Sequence, residues 1–401
     1  MENSVSNRRG TVRVKRLLLF LLLCGIGVFV FDVGVYLLAP RAVTAVLPGY
    51  KKPIVPGSYA RAGNAFYPQN YFVSDAETGF DIGSNRRAEH FLPEFGSYPV
   101  WSNEIGCFDE RIAANTDISA SIYIAGDSMT WGYAPYEAKF GTLLKERTDA
   151  RVLSCGITHS GQRHQFVKFR RNVERLNGYP SVVVVNVTYN DIENDYAFPH
   201  TTVVEGWQVD TVQLRGDGEI VLREADEIKG MMKQILIDAE RPSLRSRTER
   251  LIGHYSASAQ IAYAIVERLR AWSAADTAPS NDELGNIYTL FRGATLHQSD
   301  TRFANHNRQA LLKWQQDAAR NNYRLIIALI PPAKQLSNQE YFSALRRFLD
   351  EHDIEYHEFS RSRAVTHNAA AAIEYYWHFD PHFSIEGNAA YAEFLADSLG
   401  L

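Results

Sequence analysis

The chain has 401 residues, which suggests more than one folded unit, or one domain with appendages. Hydrophobic residues make up 45% and charged residues 22%, values that exclude a disordered or collagen-like chain. A formal net charge of -4 argues against a nucleic-acid partner, which would favour a strong basic excess. The 3 cysteines are too few for a disulfide framework or a four-thiolate zinc site. Cys24 lies in an apolar leader. Cys107 and Cys155 read as two small buried thiols, with pairing open to them in an oxidising compartment.

Arg8, Arg9, Arg13, Lys15 and Arg16 precede an apolar run from Leu17 to Ala39. A helix of about 20 apolar residues crosses a bilayer, and the basic flank predicts a cytoplasmic N-terminus. Asp32 is the one charge in the run, near its far end. A cleaved signal peptide is the alternative, with Leu17 to Phe31 as its apolar core and Val43-Thr44-Ala45 as the cleavage site. The length of the run favours an uncleaved, single-pass anchor. Residues 1–16 are then a cytoplasmic tail and 17–39 the transmembrane helix, and the rest of the chain is exported.

Residues 40–115 are rich in Pro, Gly, Tyr and Asn and predict an extended lead-in packed on the domain that follows. From Ser121 the pattern changes. Ser121-Ile-Tyr-Ile-Ala125 predicts a strand, Glu137 to Arg147 a helix, Arg151 to Ser154 a strand and Gln165 to Leu176 an amphipathic helix. Val182-Val-Val-Val185 and Leu325-Ile-Ile-Ala-Leu-Ile330 are continuous apolar runs, the mark of strands buried on both faces. Gln339 to Leu349 predicts a helix, Ile354 to Tyr356 a strand and Ile385 to Leu399 a final helix. This alternation predicts a three-layer α/β domain over 116–401, with a flavodoxin-like parallel sheet covered on both sides. Residues 196–300 interrupt it as an insertion or cap. Within it Thr211 to Leu222 predicts a hairpin turning at Gly216-Asp217-Gly218, and Leu244 to Trp272 one or two helices with Leu251, Ile252, Ile261, Ile265 and Leu269 on one stripe. Arg241, Arg245, Arg247 and Arg250 read as a solvated basic face.

Three clusters carry chemistry. Gly126-Asp127-Ser128 follows a predicted strand and opens a helix, which exposes a hydroxyl beside backbone N–H groups at the carboxyl edge of the sheet. Thr130 stands where a G-x-S-x-G elbow would have its second glycine. Asn190-Asp191 ends the Val182 strand, and an Asn side chain there can donate to an oxyanion. In Asp380-Pro381-His382, residues two apart point to one side, so Asp380 can orient one imidazole nitrogen of His382 while the other meets a nucleophile. A competing reading puts a divalent metal on His378, Asp380 and His382, but it leaves Ser128 and Asn190 without a role. Tyr375-Tyr376-Trp377 reads as core, with a sugar-stacking surface as the alternative.

Taken together these blocks resemble the SGNH/GDSL hydrolase superfamily. The matching residues are Gly126-Asp-Ser128-Met-Thr130, Thr188-Tyr-Asn190-Asp191 and Asp380-Pro-His382-Phe-Ser384-Ile-Glu-Gly387, with Asn103-Glu-Ile-Gly106 as a lead-in. The likeness covers roughly residues 100–195 and 305–401. It implies a serine esterase with Ser128 as nucleophile, His382 as general base and Asp380 as its orienting acid, working without metal or organic cofactor. It also implies an oxyanion hole of the Ser128 N–H, the Asn190 side chain and a backbone N–H of the second block. In Ser154-Cys-Gly156-Ile-Thr-His159-Ser-Gly161 the glycine that usually supplies that N–H falls on His159, with Gly161 as the alternative donor. The expected substrate is an acylated glycan of the cell envelope, met outside a bacterial inner membrane in the periplasm, by hydrolysis or acyl transfer. Lipid or small esters, or an inactive polysaccharide-binding subunit, are the alternatives.

Overall fold

A computed structural model describes residues 70–92, 95–113, 116–204, 206–210, 212–214, 220–222, 302–367, 374–377 and 382–401. It also describes residues 16, 19, 20, 22–34, 68 and 258. The chain forms two compact units, one of residues 1–61 and 237–278, the other of 62–236 and 279–401. The predicted helices at 244–272, with their apolar and arginine positions, lie outside the described residues.

In the smaller unit, residues 22–34 are helical and expose Leu22, Leu23, Ile26, Phe29 and Val30. Among the described residues, no helix is long and apolar enough to cross a membrane. Asp32 is held within this unit: its Oδ1 accepts from the Ser258 N–H at 2.8 Å and from the Ser258 hydroxyl at 2.7 Å.

The larger unit is built on a five-stranded parallel sheet, order β6-β5-β7-β12-β13. These strands are β5 (Ile122–Gly126), β6 (Val152–Gly156), β7 (Val182–Val187), β12 (Arg324–Leu329) and β13 (Tyr356–Glu358). Chain order against sheet order is the 2-1-3-4-5 pattern of flavodoxin-like folds, and its reversal between β5 and β7 leaves a crevice at the carboxyl ends. The continuous β-branched runs are explained by burial on both faces. Tyr123, Ala125, Val183, Val185, Ile327 and Leu329 enter one core with Phe169, Leu311 and Trp314. Ile122, Ile124, Val184, Ile326 and Ala328 enter the other with Phe140, Leu144, Tyr391 and Leu395.

The helices of this unit are α1 (Ser128–Trp131), α2 (Phe140–Lys145), α3 (Gln162–Leu176), α4 (Asp191–Ala197), α5 (Arg302–Asn321), α6 (Ser343–Glu351), α7 (Arg363–Thr366) and α8 (Ile385–Leu399). Helices α3, α5 and α6 cover the first face of the sheet, and α2 and α8 the second. Helix α8 has the predicted bounds; Ser384 caps it by accepting from the Gly387 N–H, and Gly400 ends it in a left-handed turn. Helix α5 has no counterpart among the predicted elements, although Ala304, Asn307, Leu311, Trp314 and Ala318 are buried at alternating spacings of three and four.

Within the stretch read as a lead-in, β1 (Phe72–Asp75) pairs with β2 (Gly79–Ile82), and β3 (Arg87–Leu92) with β4 (Gly96–Trp101). Their inner faces form a third core of Tyr71, Phe80, Tyr98 and Val100 around Trp131 and Tyr133. In the insertion, β8 (Thr201–Val204) pairs with β9 (Trp207–Asp210), and β10 (Val212–Leu214) with β11 (Ile220–Leu222), the latter in the register of the predicted hairpin.

Cys107 and Cys155 form a disulfide with their Cα atoms 4.7 Å apart, which corrects the expectation of two separate thiols. Linear order hides their proximity. The loop after β4 returns beside edge strand β6, where the Asp109 carboxylate accepts from the Ser154 N–H at 2.7 Å. Asn172 of α3 then closes over the pair, its amide 3.2 Å from the Cys155 sulfur. The bond closes a loop of 48 residues, so replacing both cysteines by alanine should lower the unfolding free energy by about 2–4 kcal/mol. Urea denaturation without reductant measures this, and equal stabilities would show that the crosslink does not constrain the unfolded chain.

Candidate active site

The nucleophile turn begins where β5 ends. Gly126 must be a glycine because a Cβ there would sit 2.0 Å from the Thr130 hydroxyl. Asp127 caps α1, its Oδ1 accepting from the Met129 N–H at 2.9 Å. Ser128 therefore stands at a helix start, largely buried, with its Oγ 2.7 Å from His382 Nε2. These two residues are 254 positions apart in the chain, and their contact joins two of the three blocks found in the sequence.

The imidazole of His382 lies flat on the Tyr133 ring, centroids 3.6 Å apart and planes 4° from parallel. Tyr133 is fixed in turn, because the Trp377 indole N–H donates to its carbonyl at 2.8 Å. The Trp377 backbone N–H donates to the His382 carbonyl at 2.9 Å, and Tyr376 bridges to Phe383. Tyr375-Tyr376-Trp377 is thus packing around the histidine: Tyr376 is buried in the second core, and Trp377 packs on the third. His378 and Asp380, and with them the metal reading, lie outside the described residues.

Asn190 follows β7, and its side-chain carbonyl is 2.6 Å from the Thr188 hydroxyl. Thr188 Oγ1 also lies 2.9 Å from Asp127 Oδ2 and 3.3 Å from Asp191 Oδ2. One hydroxyl hydrogen cannot serve three acceptors. Burial, and after it the charge of Asp127, raises the Asp191 carboxyl well above the ordinary range.

The β6–α3 loop carries His159 and Gly161. Its start is tied to the nucleophile strand by the Ile157 N–H donating to the Gly126 carbonyl at 2.9 Å. His159 has φ +55°, so it occupies the left-handed region that favours glycine. Gly161 is extended and starts α3; a Cβ there would sit 2.4 Å from Asp195 Oδ1 and 2.6 Å from the Asp191 carbonyl. Gly161 therefore allows α4 to approach, while His159 takes the turn conformation.

Behind this loop the sequence reading missed a buried polar layer. Asp195 Oδ1 accepts from the Arg163 N–H at 2.7 Å, and its Oδ2 from Asn307 of α5 at 2.9 Å. Gln165 donates to Asp191 at 3.3 Å. The signal was available in Asp191 and Asp195, four apart on one face of α4, but only the tertiary fold supplies Gln165 and Asn307.

No protein-family model matches the chain, and neither does any curated protein. Among solved structures it resembles a G-D-S-L family lipolytic protein from Veillonella parvula DSM 2008, at 11% identity and TM-score 0.36, over 69% of this chain and 97% of that one. A putative lipolytic protein of the same family from Desulfitobacterium hafniense DCB-2 gives 15% identity and TM-score 0.32, over 69% and 99%. A catalytic mutant of an acetylxylan esterase from Geobacillus stearothermophilus gives 11% and 0.34, over 72% and 97%. The chain is similar to lipolytic proteins of the G-D-S-L family and to acetyl xylan esterases.

Two buried groups behind the site oppose each other in pH dependence. Burial raises the Asp195 carboxyl to about 7, so the stability it gives is complete near pH 4 and lost as pH rises through 7. Burial lowers His164 to about 4, so its contribution is complete above about pH 6.5 and lost as pH falls through 4. Asp195→Asn should remove the first without the second. Between pH 4 and 7 the variant's unfolding free energy should then climb relative to wild type. Urea titrations across that range measure the difference, and parallel curves would show that Asp195 is not held protonated by the fold.

Proposed function

We propose that the chain is a serine ester hydrolase, exported and tethered by its N-terminal helix, that acts on O-acyl groups of cell-envelope glycans. The observation that carries this reading is the 2.7 Å contact between Ser128 Oγ and His382 Nε2 at the carboxyl edge of the parallel sheet. A hydroxyl there, at a helix start and in reach of an imidazole nitrogen, is the arrangement acyl transfer needs.

In the proposed reaction His382 Nε2 takes the Ser128 proton as Oγ attacks the ester carbonyl. The oxyanion forms against the Ser128 N–H, the Asn190 amide and the backbone N–H of His159. The imidazolium then protonates the departing alkoxide, leaving an acyl-serine. Water, activated by the same imidazole, releases the acid. A second hydroxyl in place of water makes the reaction a transfer. Asp380 is assigned the imidazole's remaining N–H, and Tyr133 holds the ring flat. The scheme uses no metal or organic cofactor.

Two observations support export. A disulfide between Cys107 and Cys155 suits an oxidising compartment. The apolar helix at 22–34 follows a basic flank, and its one carboxylate, Asp32, is hydrogen-bonded by Ser258. The unprocessed N-terminus should be recovered from the membrane fraction by N-terminal sequencing. A mature protein starting near Val46 would replace the anchor with a cleaved leader.

A fluorophosphonate probe should label Ser128, as peptide mapping would show. Ser128→Ala and His382→Ala should each abolish nearly all turnover of chromogenic acetyl esters, and the double variant should be little worse. Asp380→Asn should be milder. Asn190→Ala should raise the barrier by about 2.7–4 kcal/mol while the protein stays folded. If wild type and Ser128→Ala turn over every ester alike, the site is not the one described.

A further inference from the structure

The outer face of the β3–β4 ribbon carries a groove that the proposed chemistry does not use. It has a volume of about 600 Å³ and is lined by Arg86, Arg87, Arg111, Trp101, Asn85 and Ser102, among others; neither Ser128 nor His382 lines it. The ribbon has two unlike faces. His90, Tyr98, Leu92 and Val100 point inward and are buried. Arg87 and Trp101 are partners across the strands and both line the groove, although Trp101 is half-buried against the third core.

Trp101 is a rigid platform. Its indole N–H is spent on the Asp109 carbonyl at 3.0 Å, and the Tyr71 hydroxyl holds its backbone carbonyl at 2.9 Å. Phe108 and Tyr136 pack on the ring, with centroids 5.1 Å and 5.0 Å away. With its N–H spent, the indole offers the groove ring surface and no hydrogen bond, which suits stacking against the apolar face of a sugar.

The cations around it are poorly matched by acids. Arg111 pairs with Glu104 at 3.1 Å. Arg86 and Arg87 are exposed, and neither forms an ion pair with any described residue. The backbone beneath them is fixed, since the Arg86 N–H donates to the Ser102 hydroxyl at 2.8 Å and the Ser102 N–H returns to the Arg86 carbonyl at 3.0 Å. Arg87 opens β3, and Arg86, just before it, lines the same groove; guanidinium groups beside a stacking ring recognise planar anions on a ring scaffold.

The geometry points to a binding groove for an anionic polysaccharide whose sugars carry carboxylates, gripped by Arg86 and Arg87 and stacked on Trp101. This deepens the proposed function and rests on it: the groove names the class of polysaccharide that the esterase would bind, at a place apart from Ser128. The overall charge of -4 gives no general attraction for polyanions, so the affinity must come from this cluster.

The test is calorimetric titration of the full-length, detergent-solubilised protein with oligogalacturonate, a neutral xylo-oligosaccharide of matched length and single-stranded oligothymidylate. Oligogalacturonate should bind wild type and Ser128→Ala alike, and more weakly as salt rises. Arg86→Gln with Arg87→Gln should weaken it about tenfold or more, while Arg86→Lys with Arg87→Lys recovers part of the affinity, because charge is kept and the fork is lost. Turnover of a small chromogenic ester should be unchanged in both double variants. Equal binding of the neutral oligosaccharide, equal or tighter binding of oligothymidylate, or an affinity indifferent to the two arginines would each overturn the groove. Loss of the groove with Ser128-dependent ester turnover intact leaves the esterase standing. Binding without such turnover rejects the esterase and leaves the groove.

Discussion

Asn186 is the polar pin on which the arrangement of the catalytic edge depends. It sits fully buried in β7, the central strand, among valines. Its amide N–H₂ donates to Thr130 of the nucleophile turn at 2.7 Å, and its carbonyl accepts from the Tyr391 hydroxyl of α8 at 2.7 Å. Its backbone carbonyl takes a further bond from Gln162, at the start of α3, at 3.3 Å. An amide buried in an apolar sheet is costly unless its bonds are made, so the interior tolerates it only when all three partners are in register. Those partners lie beside the three pieces on which the proposed chemistry relies: the Ser128 turn, the helix that follows His382, and the loop that carries His159.

Around that pin the site is stiffened by two unlike means. On the histidine side the work is aromatic: Tyr133 under the imidazole, Trp377 holding Tyr133, and Tyr376 against Phe383. On the oxyanion side it is a buried hydrogen-bonded layer, from Asp127 through Thr188 to Asn190 and Asp191. Apolar packing suits a base that must change its charge without a fixed counter-charge in contact on that face. A hydrogen-bonded network suits the donor role proposed for Asn190, which must not turn, because a flipped amide would offer oxygen to an oxyanion.

Much of this was legible in order along the chain. Strands β5, β7 and β12 announce themselves as apolar runs because both faces of the sheet are covered, and α8 was predicted with its observed bounds. The Ser128 and Asn190 blocks stand out because each follows such a strand, and the His382 block because it leads into α8. The β1–β4 hairpins were not legible: four- to six-residue strands with one buried face leave too short a pattern to separate from turns. Helix α5 was missed for another reason. Its stripe includes Asn307, whose burial makes sense only once Gln162 and Asp195 are known to face it.

What the sequence by itself determined was the order of the sheet strands, their two-faced burial, the basic-then-apolar N-terminus and the Ser128, Asn190 and His382 blocks as candidates. These follow from local periodicity and side-chain chemistry, which need no partner to be read. Tertiary structure alone decided the meeting of Ser128 with His382 and the pairing of Cys107 with Cys155. It also decided the left-handed turn at His159 in place of a glycine, and the arginines set around Trp101. Each of these depends on segments far apart in the chain arriving at one point. Proximity of that kind is a product of packing and register, which no local pattern of residues encodes.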